Sequence, residues 1–212
     1  MTHDQAIDAG GRTTPPTSPV AVGAAATQPA AATAGPTLFT IGHGTAEQDE
    51  LLGRLRGAKI AVVVDVRIAP GSRRHPHVSR DALAEWLPAA GIGYRWERRL
   101  GGFRKAAPDS PDVAMRNESF RGYAGHMRTP EFLAAIDELL GDTTARPTAV
   151  MCSETVWWRC HRRLIADFVS LARDRAVRHV MPGGRLEPHR VTAGARLVEG
   201  LVVYDDVAAA TR

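Results

Sequence analysis

Lys59-Ile-Ala-Val-Val-Val-Asp-Val66 is a nearly unbroken apolar, β-branched run with Asp65 close to its end. It is too short to cross a bilayer and lacks the alternation of a half-solvated strand. It therefore predicts a strand covered on both faces, as in a parallel sheet held between helix layers. Upstream, Thr37-Leu-Phe-Thr-Ile-Gly-His-Gly44 has the same character and is stopped by glycines. Downstream, Ile92-Gly-Tyr-Arg-Trp96, Pro147-Thr-Ala-Val-Met-Cys152 and Ala176-Val-Arg-His-Val-Met181 read as further strands, and Leu201-Val-Val-Tyr204 as a last edge strand.

Helical patterns fill the gaps. Thr45 with Gln48 resembles a capping box ahead of Leu51, Leu52 and Leu55, with Gly57 as the stop. Ser79 is placed to cap a helix carrying Leu83, Trp86 and Leu87 that Pro88 ends or kinks. Thr129, Pro130, the stripe Phe132, Leu133, Ile136, Leu139, Leu140, and Gly141 describe a well-punctuated helix. A helix from Arg159 to about Arg173 turns Leu164, Ile165, Phe168 and Val169 inward. Residues 97–128 form a long Gly-, Pro- and charge-rich connection with one turn of helix near Phe120 to Met127; a connection of that length in a compact domain is usually functional. Strand and helix alternate, so the predicted fold class is α/β: a mostly parallel sheet flanked by helices on both faces, a three-layer α/β/α arrangement.

Length and composition bound the rest. The 212 residues suit one domain over 36–205, a disordered Ala/Pro/Thr-rich tail over 1–35 interrupted by Pro15, Pro16, Pro19 and Pro29, and a frayed end over 206–212. No apolar stretch reaches bilayer length, so no membrane partner is expected. Cys152 and Cys160 sit inside a strand–loop–helix region rather than a disulfide framework, which predicts reduced thiols and a cytoplasmic location. The net charge is only +4, yet Lys59 and Lys105 are the only lysines among 27 basic residues. Arginine forks fit phosphate and carboxylate groups, although a GC-rich genome alone would give the same bias.

In open α/β sheets ligands bind beyond the carboxyl ends of strands. That rule selects Gly42-His43-Gly44, Asp65 and Arg67, and Cys152-Ser153-Glu154 with the following Trp157-Trp158-Arg159-Cys160-His161-Arg162. Cys152 reads as a thiolate nucleophile or as a small buried hydrophobe. Glu154, His161, His43 and Asp65 are candidates for proton transfer, and Asp65 equally for an ion pair with Arg67. Six residues separate Cys152 from Arg159, so the Cys-x5-Arg loop of phosphatases is absent. Cys-x7-Cys-His matches no common zinc spacing, and adjacent residues on a helix diverge; no cofactor is predicted, with zinc as the lesser alternative. The loop holding Arg67, Arg73, Arg74, His75 and His77 suits an anion, and Trp157 or Trp158 reads as core or as a stacking surface.

Thr40-Ile-Gly-His43, Asp65-Val-Arg67, Leu100-Gly-Gly102, Phe120-Arg-Gly-Tyr-Ala124, Cys152-Ser-Glu154, Trp157-Trp-Arg-Cys-His-Arg162 and Glu187-Pro-His189 together resemble the bacterial and archaeal family called domain of unknown function 488, over roughly Thr37 to Tyr204. Ser153 stands where that family usually has alanine. The resemblance implies an α/β fold with one polar cluster and carries the motif positions as site residues, Gly101, Gly102 and Tyr123 among them. It implies no reaction.

The expected function is an enzyme, a thiol-dependent transferase or hydrolase, acting on a small phosphorylated, nucleotide-like or otherwise anionic substrate. Its catalytic set is Cys152, Glu154, His161 and Asp65. Substrate contacts come from His43, Arg67, Gly101, Gly102, Tyr123, Trp158, Arg159, Cys160 and Arg162. The alternative is a nucleic-acid- or nucleotide-binding module without catalysis.

Overall fold

A computed structural model of the chain describes residues 35–205. The tail expected over 1–35 lies, but for Gly35, outside the described residues, as does the frayed end expected over 206–212. Strands β1 (Leu38–Gly42), β2 (Val62–Asp65), β3 (Gly93–Trp96), β4 (Thr148–Cys152), β5 (Val177–Val180) and β6 (Leu186–Pro188) form one sheet in the order β3-β2-β4-β1-β5-β6. All neighbours are parallel except β5 and β6.

Because side chains alternate across a strand, each apolar run feeds two cores. Val62, Val64, Val150 and Cys152 face one; Val63, Ala149 and Met151 face the other. Helices α1 (Gln48–Gly57) and α2 (Arg80–Ala89) bury Leu51, Leu55, Leu83 and Leu87 in the second core. Helices α3 (Glu118–His126), α4 (Pro130–Ala145) and α5 (Arg162–Ala172) bury Tyr123, Phe132, Ile136, Leu164 and Phe168 in the first. The result is the α/β/α sandwich expected. The connection leaving β1 runs over one face toward β2, and the one leaving β4 over the other toward β5. Their carboxyl ends therefore open a crevice at the point where strand order reverses.

Several boundaries differ from the sequence reading. The N-cap of α1 is Glu47, without a side-chain cap bond, because Gly44 at φ +57° and the Ala46 N–H to His43 carbonyl bond form a separate turn that Thr45 belongs to. Ser79 and Thr129 do cap, accepting from the Ala82 and Phe132 amides. Helix α4 continues past Gly141, and α5 begins at Arg162, after a 3₁₀ turn at Trp157–Arg159. Leu201–Tyr204 is not an edge of the main sheet: it is β8, paired antiparallel with β7 (Ala195–Val198) in a separate hairpin, and β6 forms the edge.

Candidate functional site

The β1–β4 pairing continues past the strand ends. The His43 N–H donates to the Cys152 carbonyl (3.1 Å) and the Gly44 N–H to the Ser153 carbonyl (2.9 Å), which clamps the two loops together. Gly42 permits this: a Cβ there would lie 1.8 Å from the Glu154 carbonyl oxygen.

Cys160 has extended backbone (φ −126°, ψ 152°) and precedes the helix. Its side chain and that of His161 are thus released from the divergence that adjacent helical residues would suffer, and they converge. His161 Nδ1 lies 3.8 Å from Cys152 Sγ and 3.7 Å from Cys160 Sγ. Its ring leans on Tyr123 (centroids 5.1 Å apart), whose hydroxyl donates to the Leu100 carbonyl (2.8 Å). Gly102 leaves room for the imidazole, since a Cβ would sit 3.1 Å from Nδ1. The ligand atoms of Cys152, Cys160 and His161 all lie within 4.8 Å of one another, a spacing that could hold a metal ion.

The two buried thiols titrate as a pair. The hydrogen bond from Cys152, then His161 and Arg162, hold Cys160 well below the usual thiol range. That same bond, with burial, pushes Cys152 well above it. Of the two sulfurs, Cys160 is the one favoured as thiolate.

Beside them Arg67 is locked in place. Its Nε and Nη2 donate to Asp65 Oδ1 (2.8 Å) and Oδ2 (2.6 Å), and Nη2 also to the Val78 carbonyl (2.8 Å). The Tyr94 hydroxyl donates to the same Asp65 Oδ2 (2.9 Å), so both carboxylate oxygens are engaged. His43 sits behind Arg67, held at about pKa 4 by burial and then by the guanidinium.

Arg162, two residues after Cys160, is almost wholly buried. Its Nη2 donates to the Glu154 carbonyl and its Nη1 to Thr40 Oγ1 (3.3 Å). Among the described residues it has no carboxylate in direct contact.

These groups surround a cavity of about 410 Å³. Cys152, Cys160 and His161 line it, with Arg67, Arg159, Gly102, Tyr123 and Glu154. A comparison with protein families then decides kinship: the family model described as Domain of unknown function DUF488 matches residues 47–169, more than half of the chain. The chain belongs to the DUF488 family. No curated protein and no solved structure matches it.

The matched DUF488 region contains the cavity's Arg67, cysteines and His161, whereas His43 and the Glu187-Pro-His189 motif fall outside it. Five expected site residues do not line the cavity. Asp65 and His43 bond Arg67, Arg162 bonds Thr40 and the Glu154 carbonyl, and Gly101 lies so close to Ile68 that a Cβ would fall 2.5 Å from its Cγ1. Trp158 lies half-exposed in a separate groove with Trp157, Arg185, Glu187, Pro188 and Arg190. Sequence reasoning missed Ile68, Ala69, Phe103, Asn117 and Ser119 as cavity residues of this DUF488 protein. Asn117 alone carried a readable signal: it caps α3 by accepting from the Phe120 amide (3.1 Å). Phe103 is exposed and adopts φ +57°, a conformation that sequence pattern does not announce.

Proposed function

We propose that this DUF488 protein is an enzyme, a thiol-dependent transferase or hydrolase acting on a small phosphorylated, nucleotide-like or otherwise anionic substrate. The observation that carries it is the convergence of two thiols and an imidazole on the wall of a cavity that Arg67 and Arg159 also line. Arg67 and Arg159 take the negative group, and the aromatic faces of Tyr123 and Phe120 take the rest. The Cys160 thiolate forms a bond to the electrophilic atom. The leaving group departs with its electron pair and takes the proton held by Cys152, with His161 orienting both sulfurs. Water, deprotonated by Glu154 at the rim, or a second acceptor then displaces the sulfur, and the proton it gives up passes to Cys152 and restores that thiol. Asp65 serves as a positioning residue for Arg67.

The test is alkylation by iodoacetamide across pH, with and without phosphorylated and nucleotide compounds. The expected result is rapid modification well below pH 8.5, where an ordinary thiol is mostly protonated, and protection by an anionic compound. Reaction only above that pH, with no protection, overturns the reading.

The spacing of Cys152, Cys160 and His161 favours a second reading, a zinc-class cation held by these three with its fourth position toward the cavity. Elemental analysis of protein prepared without an affinity tag separates the two: about one metal per chain, lost in Cys160→Ser, supports the second. A nucleic-acid- or nucleotide-binding module is favoured only by the groove of Trp158, Arg185 and Arg190. Trp157 is already stacked on His179, with centroids 4.2 Å apart.

A further inference from the structure

Besides the cysteine pair, a second negative charge stands at the far end of a hydrogen-bond chain from Arg162. Arg162 Nη1 is 3.3 Å from Thr40 Oγ1, and that oxygen is 2.7 Å from His179 Nδ1. His179 Nε2 is 3.0 Å from His189 Nδ1, and His189 Nε2 is 2.9 Å from Asp167 Oδ1. With both imidazoles neutral, the carboxylate end fixes the direction of every bond. A carboxylate only accepts, so His189 Nε2 carries a proton, leaving its Nδ1 to accept from His179 Nε2. In that state His179 Nδ1 can only accept, so Thr40 Oγ1 accepts from the Arg162 guanidinium and gives its hydroxyl proton to His179 Nδ1. Both imidazoles are then protonated at Nε2 and every bond runs from Arg162 toward Asp167. The Tyr204 hydroxyl (2.9 Å) and the Thr192 amide (2.8 Å) also donate to Asp167, which holds the anion in place. Trp157 lies flat on His179, 6° from parallel, and excludes water from the middle of the chain.

We propose that Thr40, His179, His189 and Asp167 are positioning residues that hold the Arg162 guanidinium against the Cys152–Cys160 pair, with Asp167 as its remote counter-ion. Bonds aligned in one direction polarise one another, so the Asp167 charge is felt at Thr40 Oγ1. Without it, Arg162 would be a buried cation satisfied by one carbonyl and one hydroxyl, its Nε unpartnered. The inference rests on the reading that Arg162 supplies positive charge at reactive sulfurs, and it adds four residues that touch neither the cavity nor any substrate.

The test uses the full chain and two alkylating reagents of similar size, anionic iodoacetate and neutral iodoacetamide, at one pH. The ratio of their rates at the cavity cysteines reports the local charge and is indifferent to general loosening. Arg162→Gln lowers the ratio about fivefold, the effect of one nearby charge. His189→Phe keeps a ring of similar shape but cuts the chain, and lowers the ratio to a similar extent. His189→Gln loses the ring but retains an acceptor and a donor in the same order, and stays within about twofold of the unaltered protein. A packing role would give the reverse order for the two His189 variants. The proposal is overturned if His189→Phe keeps the full ratio while Arg162→Gln lowers it. An unchanged ratio in Arg162→Gln overturns the underlying reading of Arg162 instead. Should His189→Phe not fold, ¹⁵N imidazole shifts in the unaltered protein decide: neutral Nε2–H tautomers at both His179 and His189 support the chain, and an imidazolium or an Nδ1–H tautomer at either overturns it.

Discussion

The Arg67 Nη1 lies 3.2 Å from His43 Nε2, and because a guanidinium only donates, the imidazole must accept there. Its Nδ1 then carries the proton and donates to the Gly44 carbonyl (2.9 Å). Burial, and then the second cation that protonating Nε2 would set against Arg67, keep His43 neutral until about pH 4.

Stability therefore falls with acidification from pH 6.5 toward 5. Unfolded histidines take up protons near pH 6.5, while folded His43 (about 4) and His179 (about 2, from burial, then His189 and Arg162) do not. A folded pKa below the unfolded one gives stability that is complete above the unfolded value and is lost as pH falls toward the folded value. Each histidine contributes at most about 1.4 kcal/mol per pH unit. Urea unfolding at pH 6.5 and 5.0 should show the loss, and His43→Gln, whose amide oxygen still accepts from Arg67, should reduce it. An identical loss in the variant would mean that His43 is not held neutral by this contact.

The bidentate Arg67–Asp65 pair is buried on both sides, so removing one partner strands the other charge away from water. Arg67→Met should cost on the order of 3–5 kcal/mol in urea unfolding. Arg67→Lys should recover part of that, because an ammonium cannot satisfy both carboxylate oxygens and the Val78 carbonyl together. A loss below about 1 kcal/mol in Arg67→Met, the size of an exposed pair, would show the contact to be open to solvent.

How much of this was legible follows from what each feature depends on. Val62 to Asp65 announced a doubly covered strand because burial on both faces leaves a mark on every residue of the run. The ends of such runs then led to Arg67, Cys152 and His161. The edge strand Leu186–Pro188 is three residues long and contains a proline. The β7–β8 hairpin turns on Glu199 and Gly200, both at positive φ, where Asn-Gly would have been the recognisable signal. The convergence of Cys160 and His161 depends on the helix starting at Arg162 rather than Arg159, a boundary set by tertiary packing. Thr40, His179, His189 and Asp167 come from two strands, the residue after a third and a helix, and no local pattern connects them.

The opposite pKa shifts of the two sulfurs predict an asymmetry between the two cysteine variants. In Cys152→Ser the hydroxyl still donates to the Cys160 sulfur, so alkylation near neutral pH should persist at a reduced rate. In Cys160→Ser the remaining sulfur is the buried Cys152, and iodoacetamide should react roughly tenfold more slowly at neutral pH than with the unaltered protein. Mass spectrometry of the modified peptide reads both outcomes. Equal rates in the two variants would show that neither sulfur is the preferred thiolate.

Glycine substitutions separate the clamp at the strand ends from ordinary backbone flexibility. A Cβ on Gly42 would lie 1.8 Å from the Glu154 carbonyl oxygen and 2.6 Å from Arg162 Nη2. The first of these is backbone, held by the bonds from His43 and Gly44 to the Cys152 and Ser153 carbonyls, so the loop itself must move. Gly42→Ala should cost about 1–3 kcal/mol, as overpacking does, and should slow cysteine alkylation because Glu154 and Arg162 shift together. Gly57, the last residue of α1, has no atom within 4 Å of a Cβ and no positive φ, so Gly57→Ala should leave alkylation unchanged and raise stability by about 0.4–1 kcal/mol. Equal effects of the two substitutions on alkylation would mean that the Gly42–Glu154 approach does not shape the site.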